Sequence, residues 1–247
     1  MTIAVSLNDV SLRYQGTEAD TFSNLDLDLV AGQWTCLLGP SGCGKTSLLR
    51  LMAGLIDQQH HVSGAITCSD EQGLQNRIAY MAQQDLLLPW LNVIDNVCLK
   101  TRLTQGSVSP QVREKASQLL AQLNLSDINH KLPDQLSGGM RQRVALARTL
   151  MQDTPIVLMD EPFSALDAVN RYKLQNLAVE VLKNRTVLLI THDPQEALRL
   201  SDQLCLFSSE HKLLKLNKPD TAIPRPVDAQ LGEFQQTLLA KMQGQHG

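Results

Sequence analysis

The octapeptide GPSGCGKT at positions 39–46 constrains the fold more than any other stretch of this 247-residue chain. It satisfies the pattern G-x-x-x-x-G-K-[S/T], follows the apolar run WTCLL (34–38) and precedes the helical run KTSLLRLMAGL (45–55). A strand, a glycine-rich turn and a helix in this order form a loop whose backbone N–H groups surround phosphate oxygens. The sequence therefore predicts an α/β fold with a phosphate site at this turn.

Every residue of this loop is a candidate for contact with a nucleotide. The glycines allow the backbone to approach phosphate oxygens closely, because they lack a Cβ atom. Lys45 is expected to hold the β- and γ-phosphates of a nucleotide, and the Thr46 hydroxyl is expected to ligate Mg²⁺. The candidate phosphate-contacting residues are Gly39, Pro40, Ser41, Gly42, Cys43, Gly44, Lys45, Thr46 and Ser47.

Two later apolar runs complete the predicted core. IVLMD (156–160) and TVLLIT (186–191) are typical of parallel strands buried on both faces, and a helical segment (166–183) separates them. This alternation predicts a doubly wound α/β arrangement. Asp160 ends the first run and is a candidate metal-organising carboxylate, while Glu161 is a candidate general base for the attacking water.

The bulk properties of the chain exclude several classes of protein. The net charge is −3 and the pI is about 6.1, so the composition argues against a nucleic-acid partner. The five cysteines are scattered without metal-ligand spacing, which predicts reduced thiols and neither disulfides nor a zinc site. The N-terminal MTIAVSLNDV lacks the pattern of a secretory leader, and no apolar run is long enough to span a bilayer. We expect a cytoplasmic protein whose membrane role, if it has one, comes through partners.

Several further motifs follow in a fixed order: Gln83, LSGGMRQR (136–143), LMDEP (158–162), SALD (164–167) and ITHD (190–193). Together with the phosphate loop they resemble the ATP-binding subunit of an ABC transporter over nearly the whole chain. The resemblance implies a P-loop NTPase core with a mixed, largely parallel sheet and flanking helices. It also implies an N-terminal antiparallel β portion and a helical subdomain inserted into the core.

The expected organisation is one ABC ATPase domain with an inserted helical region. Ser109 is a plausible N-cap within that region, and Pro110 suits the first position of a helix. The predicted parts of the domain 1–247 are an α/β nucleotide-binding core (1–83 and 151–216), a helical subdomain (84–150) and a C-terminal tail (217–247) with a short docked helix.

The Ser-Gly-Gly turn before a helical run forms a second candidate phosphate site, at a helix N-terminus. Alone, such a turn is more often a helix cap without a ligand. In the family it resembles, two subunits pair head-to-tail, so that Ser137, Gly138 and Gly139 face the nucleotide held by a second copy. The resemblance therefore implies ATP sites shared between two copies of this chain.

Further roles are implied by the resemblance residue by residue. Tyr14 matches the aromatic residue that stacks on adenine, and Asp167 ends a loop that crosses the dimer interface. Gln83 rather than Gln84 matches the glutamine that senses Mg²⁺ and the attacking water, because of its spacing from LLPW. His192 matches the histidine that contacts the γ-phosphate and steadies the general base. Without the family context, Tyr14 and His192 would be read as packing residues. The implied metal-binding residues are Thr46, Gln83 and Asp160.

The stretch LLLPWLNVIDNV (86–97) and the tail IPRPVDAQLGEF (223–234) resemble importer subunits for nitrate, sulfonates, taurine and thiamine-precursor pyrimidines. This resemblance implies membrane permease subunits contacted near Gln83–Trp90 and an indirect periplasmic or lipoprotein substrate-binding protein. It also implies a peripheral location on the cytoplasmic face of the inner or plasma membrane. Three alternatives stay open: a core role for Trp90, an ABC exporter or lipoprotein-extraction ATPase, and a soluble ABC ATPase without a transport role.

Overall fold

The computed structural model describes residues 2–57, 59–208 and 212–243. Within them the strands are β1 Val5–Arg13, β2 Phe22–Leu29, β3 Trp34–Leu38, β4 His61–Cys68, β5 Ile78–Met81, β6 Ile156–Asp160, β7 Thr186–Ile190, β8 Gln203–Phe207 and β9 Leu213–Leu216. The α-helices are α1 Lys45–Met52, α2 Val93–Val97, α3 Leu99–Gln105, α4 Pro110–Gln122, α5 Gly138–Leu150, α6 Ala168–Val181, α7 Pro194–Leu200 and α8 Ala229–Gln243. None of these described helices combines the length and the apolarity needed to cross a membrane.

The N-terminal strands form a three-stranded antiparallel sheet in which β1 lies between β2 and β4. Buried and exposed residues alternate along β1 until an irregularity between Leu7 and Val10, where Asp9 has a left-handed φ of 55°. The extra residue there returns Val10 and Leu12 to the buried face of the strand. The antiparallel β portion implied by the resemblance is confirmed.

The second sheet has the order β5-β6-β7-β3-β8-β9. Its strands β6, β7, β3 and β8 run parallel, and β9 pairs antiparallel with β8. Every residue of β3, β6 and β7 is buried, as expected of parallel strands covered on both faces. The predicted mixed, largely parallel α/β core is confirmed.

One cluster of buried apolar side chains joins the two sheets and α1. It includes Leu7 of β1, Phe22 of β2, Leu37 of β3 and Leu49 of α1. The Phe22 ring meets Phe207 of β8 edge-on at a centroid distance of 6.3 Å. This packing fixes the two ends of the loop that connects β3 to α1.

The helical region separates as a second compact unit. Residue contacts group Met81–Thr154 with Pro162–Leu182, apart from the unit that contains the two sheets. Helix α4 begins as predicted, because the Ser109 hydroxyl accepts a hydrogen bond from Val112 N and Pro110 occupies the first turn. The domain boundaries at 84 and 150 stay a prediction; the structure adds that α6 clusters with the helical unit.

The C-terminal part of the chain is irregular after β9 and then forms α8. The predicted docked helix is confirmed, since Leu231 and Leu238 of α8 are almost completely buried. The prolines between positions 219 and 226 prevent regular structure there. The end of the predicted tail, 244–247, lies outside the described residues.

All five cysteines lie in the described part of the chain, and each is buried and free. Burial raises the pKa of the Cys36 thiol well above its ordinary value, and it raises that of Cys205 to about 11. These thiols therefore stay protonated and unreactive at neutral pH. No disulfide joins the cysteines in the described part of the chain, and their reduced state stays a prediction.

Candidate functional site

The loop 39–46 connects β3 to α1 in a conformation that requires glycine. Gly44 precedes the first turn of α1 with a left-handed φ of 103°. A Cβ atom on Gly39 would lie 2.6 Å from the Phe207 carbonyl oxygen, which is too close for any other residue. The first turn of α1 carries no acidic side chain to oppose the partial positive charge of the helix N-terminus. The loop therefore has a conformation compatible with the predicted phosphate site, and the binding of phosphate by these residues stays a prediction.

Lys45 lies inside this loop. Its ammonium nitrogen donates hydrogen bonds to the carbonyl oxygens of Gly39 at 2.9 Å and Pro40 at 2.6 Å. The residue is only 8% exposed, and its ammonium is 3.7 Å from Cys43 Sγ. The predicted phosphate-binding cation is therefore held within the loop, while Ser41 and Gly42 lie at its exposed tip.

Thr46 and Asp160 come together as predicted. The Thr46 hydroxyl donates a hydrogen bond of 2.7 Å to Asp160 Oδ2, although the residues are 114 positions apart. Asp160 is only 2% exposed, and this burial raises the pKa of its carboxyl group, with a further contribution from Glu161. A hydroxyl oxygen and a neighbouring carboxylate whose charge is poorly solvated are together suited to ligate a hard divalent cation. No cluster of three or more His, Cys, Asp or Glu residues with metal-binding geometry occurs in the described ranges.

Glu161 and His192 meet at the edge of the parallel sheet. Because β6 and β7 pair with Asp160 opposite Ile190, the residues that follow these two strands are neighbours. His192 Nδ1 lies 3.0 Å from Glu161 Oε1, and the backbone N–H of Glu161 donates to Ile190 O at 2.9 Å. Glu161 has a left-handed φ of 50°, a strained conformation for a residue with a long side chain. Strain of this kind is common where surrounding contacts fix a functional side chain.

Tyr14 lies beside the phosphate loop. Its hydroxyl is 3.1 Å from the Ser47 hydroxyl, in the first turn of α1. The His60 ring meets the Tyr14 ring edge-on at a centroid distance of 4.8 Å, and His60 Nδ1 accepts a hydrogen bond from Gln15 N. Sequence reasoning missed His60, because a histidine in a polar turn is normally read as a surface residue.

The Ser-Gly-Gly turn lies in the helical unit, at the start of α5. The Ser137 hydroxyl accepts a hydrogen bond from Met140 N at 3.3 Å and so caps the helix, and Ser137 and Gly138 are exposed. A Cβ atom on Gly139 would lie 3.3 Å from the Ala165 carbonyl oxygen, so glycine keeps the turn close to the SALD segment. The geometry is that of an exposed helix N-terminus able to receive an anion.

Asp167 caps α6 in the same unit. One carboxylate oxygen accepts from Asn170 N at 3.0 Å and the other from the Asn170 side chain at 2.6 Å. These hydrogen bonds lower the pKa of Asp167, so the group stays ionised. The residue is exposed at the end of the segment that follows Glu161.

Gln83 is exposed in the helical unit, and the segment just after it is tied to α5 by two arginines. Arg141 Nε donates to the Asp85 carboxylate at 3.0 Å. Arg148 donates to the carbonyl oxygens of Asp85 at 2.6 Å and Leu86 at 2.8 Å. Sequence reasoning missed the contacts of Arg148 because their acceptors are backbone atoms.

Trp90 lies on the surface of the helical unit. Its exposed fraction is 72%, and Leu86 nearby in the chain is also exposed. A tryptophan this exposed excludes the alternative in which it is a core residue. An exposed aromatic side chain that follows a proline is suited to contact with a partner.

The comparisons with known proteins agree with this geometry. Residues 22–164 match the family described as ABC transporter. A Haemophilus influenzae protein described as an uncharacterized ABC transporter ATP-binding protein is 44% identical, with 98% of this chain and 99% of the relative aligned. The chain belongs to the ABC transporter family.

Two other relatives of this ABC chain carry a more specific description, that of aliphatic sulfonates import ATP-binding proteins. The protein from Rhodococcus jostii is 40% identical, with 96% of this chain and 94% of the relative aligned. The protein from Xanthomonas axonopodis is 38% identical, with 90% of each chain aligned.

Solved structures resemble the fold of this ABC chain. A dimeric ATP-binding cassette in a post-hydrolysis state with ADP and Pi matches with a TM-score of 0.75 and 27% identity, covering 87% of this chain and all of the other. A dimeric ABC transporter cassette matches with a TM-score of 0.73, 28% identity and the same coverage. The chain is therefore an ATP-binding ABC subunit and an ATPase.

Proposed function

We propose that this ABC chain is the ATP-hydrolysing subunit of an importer for a small nutrient of the organic sulfonate class. The observation that carries the proposal is the cluster of Lys45, Thr46, Asp160, Glu161 and His192 at one edge of the parallel sheet. The sulfonate class is supported by the descriptions of several relatives, which align over most of this chain.

ATP binds at the loop 39–47 in this proposal. Backbone N–H groups and the Lys45 ammonium contact its phosphates, and Tyr14 contacts its adenine ring. Thr46 and Asp160 are the residues that would hold Mg²⁺, with Gln83 as a further ligand. When bound there, the ion neutralises charge on the phosphate oxygens. The 2.7 Å contact between Thr46 and Asp160 supports this assignment.

Hydrolysis requires a base for the attacking water, and we assign that role to Glu161. The 3.0 Å contact with His192 holds the carboxylate in one orientation, and the bond from its backbone to Ile190 fixes its position on the sheet. A general base contributes only when it lies within hydrogen-bond reach of the water it activates. His192 positions Glu161 in this proposal, and it is also a catalytic residue because it contacts the γ-phosphate.

A second copy of the chain completes each site. Ser137, Gly138 and Gly139 contact the γ-phosphate held by the other copy, and Asp167 lies at the interface between the two. The exposed N-terminus of α5 supports this role, because a helix N-terminus attracts anions. ATP binding then favours the closed dimer, since the nucleotide has contacts with both copies only in that state.

The exposed residues Pro89 and Trp90 contact a membrane permease subunit in this proposal. The chain is then peripheral on the cytoplasmic face of the membrane. A substrate-binding protein, periplasmic or lipid-anchored, acts on the same permease from the other side and contacts this chain only indirectly.

The first experiment tests the base assignment with Glu161→Gln. This variant should bind ATP, accumulate as a dimer in size-exclusion chromatography with ATP and Mg²⁺, and lose hydrolysis by about 100-fold or more. A second change, Ser137→Arg, should abolish that dimer without weakening binding of ATP to the monomer. Undiminished ATPase activity in Glu161→Gln would rule out the base assignment, and persistence of the dimer in the double variant would rule out the shared site.

The second experiment tests the substrate class. The chain is reconstituted in proteoliposomes with its permease and its substrate-binding protein, and ATPase activity is measured with alkanesulfonates or with nitrate. Stimulation by ethanesulfonate and not by nitrate supports the proposal. Stimulation by nitrate alone would exclude the sulfonate class while leaving the role of the chain as an importer ATPase intact.

A further inference from the structure

We propose that Arg225, in the C-terminal tail, is a positioning residue for ATP hydrolysis that fixes α7 and thereby holds His192 beside Glu161. The inference rests on the role proposed above for His192. The IPRP segment that carries Arg225 belongs to the stretch that resembles importer subunits, and none of its residues is part of the proposed nucleotide site.

Arg225 forms four hydrogen bonds, three of them to the C-terminal end of α7. One terminal nitrogen of its guanidinium donates to Leu198 O at 2.6 Å and to Ser201 O at 2.9 Å. Its backbone N–H donates to Arg199 O at 2.9 Å. The other terminal nitrogen donates to Pro219 O at 2.7 Å, within the tail itself. Arg225 thus supplies partners for carbonyl groups that a helix end leaves without intrahelical bonds.

The chemistry of this contact requires an arginine. Arg225 is 2% exposed, and burial lowers the pKa of its guanidinium, an effect that the carboxylates of Asp202 and Asp220 oppose. The carbonyl groups at a helix C-terminus carry partial negative charge, which compensates a buried cation. A guanidinium reaches three carbonyl oxygens with a planar fork of donors, whereas an ammonium is a point charge that cannot match that geometry.

Helix α7 links this contact to the catalytic edge of the sheet. Its seven residues span about 10 Å, and the five from Glu196 to Leu200 are buried. At its N-terminus the Asp193 carboxylate accepts from Gln195 N at 2.9 Å, and Asp193 N donates to the Thr191 hydroxyl at 3.0 Å. A shift at the C-terminal end of so short and buried a helix therefore moves the residues that precede it.

His192 depends on this support because its own packing is weak. Its side chain is 63% exposed, and its ring is held by the 3.0 Å contact with Glu161. The position of its backbone is consequently set by β7 on one side and by α7 on the other. Loss of the Arg225 contacts removes one of these two restraints.

The test compares Arg225→Lys and Arg225→Gln with Leu238→Ala. Leu238 is buried in the tail helix, and truncating it should destabilise the tail without removing a bond to the carbonyls of α7. We expect kcat for ATP hydrolysis to fall by about threefold in Arg225→Lys and by about tenfold in Arg225→Gln, with KM for ATP within about twofold of wild type. Leu238→Ala should lower the Tm and keep kcat. All assays are run well below the lowest Tm of the set.

The decisive measurement places Arg225→Gln in a His192→Ala background. If Arg225 acts through His192, the double variant should hydrolyse ATP no more slowly than His192→Ala alone, because the restrained group is already absent. The changes in the free energy of unfolding that the two substitutions cause should still add. A merely structural role predicts instead that the two losses in kcat multiply.

Three results would overturn the proposal: wild-type kcat in folded Arg225→Gln, an equal loss of kcat in Leu238→Ala, or multiplicative losses in the double variant. The comparison also separates this inference from the proposed function. Wild-type activity in His192→Ala alone would refute the role of His192, whatever Arg225→Gln does. A large loss in His192→Ala with no loss in Arg225→Gln would refute the positioning role only.

Discussion

The side-chain oxygen of Asn96 accepts a hydrogen bond of 2.8 Å from the backbone N–H of Leu88, across the turn that presents Trp90. The side-chain nitrogen of Asn96 lies within hydrogen-bond distance of Leu88 O, Leu91 O and Asn92 O, at 2.9–3.2 Å. Asn96 is completely buried, and its one amide group bonds to backbone atoms on both sides of this turn. An amide that both donates and accepts is the group this arrangement needs.

Replacing Asn96 by leucine should therefore loosen the turn that carries Trp90. The change keeps the side-chain volume but leaves Leu88 N and the facing carbonyl groups without a partner, which costs about 2 kcal/mol. We expect this loss in urea unfolding and weaker co-purification with the permease. Leu103→Asn, on an exposed position of α3, is the control and should change neither measurement. Wild-type stability of Asn96→Leu would contradict this account of the turn.

Arg148 should matter more for the coupling of ATP hydrolysis to transport than for hydrolysis itself. Its guanidinium holds the carbonyl oxygens of Asp85 and Leu86, so Arg148→Ala would loosen the attachment of this segment to α5 while the contact from Arg141 to Asp85 stays in place. We expect the amount of substrate transported per ATP hydrolysed to fall by about fivefold in proteoliposomes.

Two matched variants sharpen the test of Arg148. Arg148→Lys keeps the charge but not the two-pronged geometry and should give an intermediate loss. Arg102→Ala removes an exposed arginine of α3 in the same unit and should have no effect. If transport and hydrolysis fell by the same factor in Arg148→Ala, the arginine would not serve coupling.

Sequence reasoning predicted the parts of the site that lie in a contiguous motif or that directly follow an apolar strand. The phosphate loop is contiguous, and its strand and helix are evident from their apolar patterns. Glu161 and His192 follow predicted neighbouring strands, so their meeting could be expected from the family resemblance. The parallel core was expected from its apolar runs, whereas the antiparallel portion was implied by the family resemblance.

The contacts that sequence reasoning missed are of a different kind. Asn96, Arg148 and Arg225 all bond to backbone carbonyl groups, and a carbonyl group leaves no trace in the sequence of its residue. His60 was missed because its partner is the edge of an aromatic ring 46 residues away, set by the pairing of β1 with β4. Trp90 could be read as core or surface, since its neighbours are apolar in either case.

Tyr14 should contribute to nucleotide affinity, and His60 should contribute through it. Tyr14→Ala removes a stacking surface of about 1 kcal/mol and should raise the Kd for ATP about fivefold. His60→Ala removes the ring that packs edge-on against Tyr14 and should raise the Kd about twofold. Titration with a fluorescent ATP analogue measures both, with His61→Ala at the adjacent exposed position as the control. An effect of His60→Ala that persisted unchanged in a Tyr14→Ala background would show that His60 does not act through Tyr14.

Asp160 should lower the stability of the protein while enabling its activity. Burial raises the pKa of this carboxyl group, so the folded state disfavours its ionised form and native stability is lower at neutral pH than with a neutral group. Asp160→Asn keeps an acceptor for Thr46 and should raise the free energy of unfolding at pH 7 while reducing hydrolysis of MgATP by about 100-fold or more.

The gain in stability should be full above the raised pKa of the folded state. It should vanish as the pH falls through the ordinary aspartate pKa of about 4, because the wild-type group is then protonated in both the folded and the unfolded state. Urea unfolding from pH 4 to pH 8 without nucleotide or Mg²⁺ measures this dependence, with Asp28→Asn on the exposed face of β2 as the control. A gain that did not depend on pH would mean that the charge of Asp160 is not what destabilises the fold.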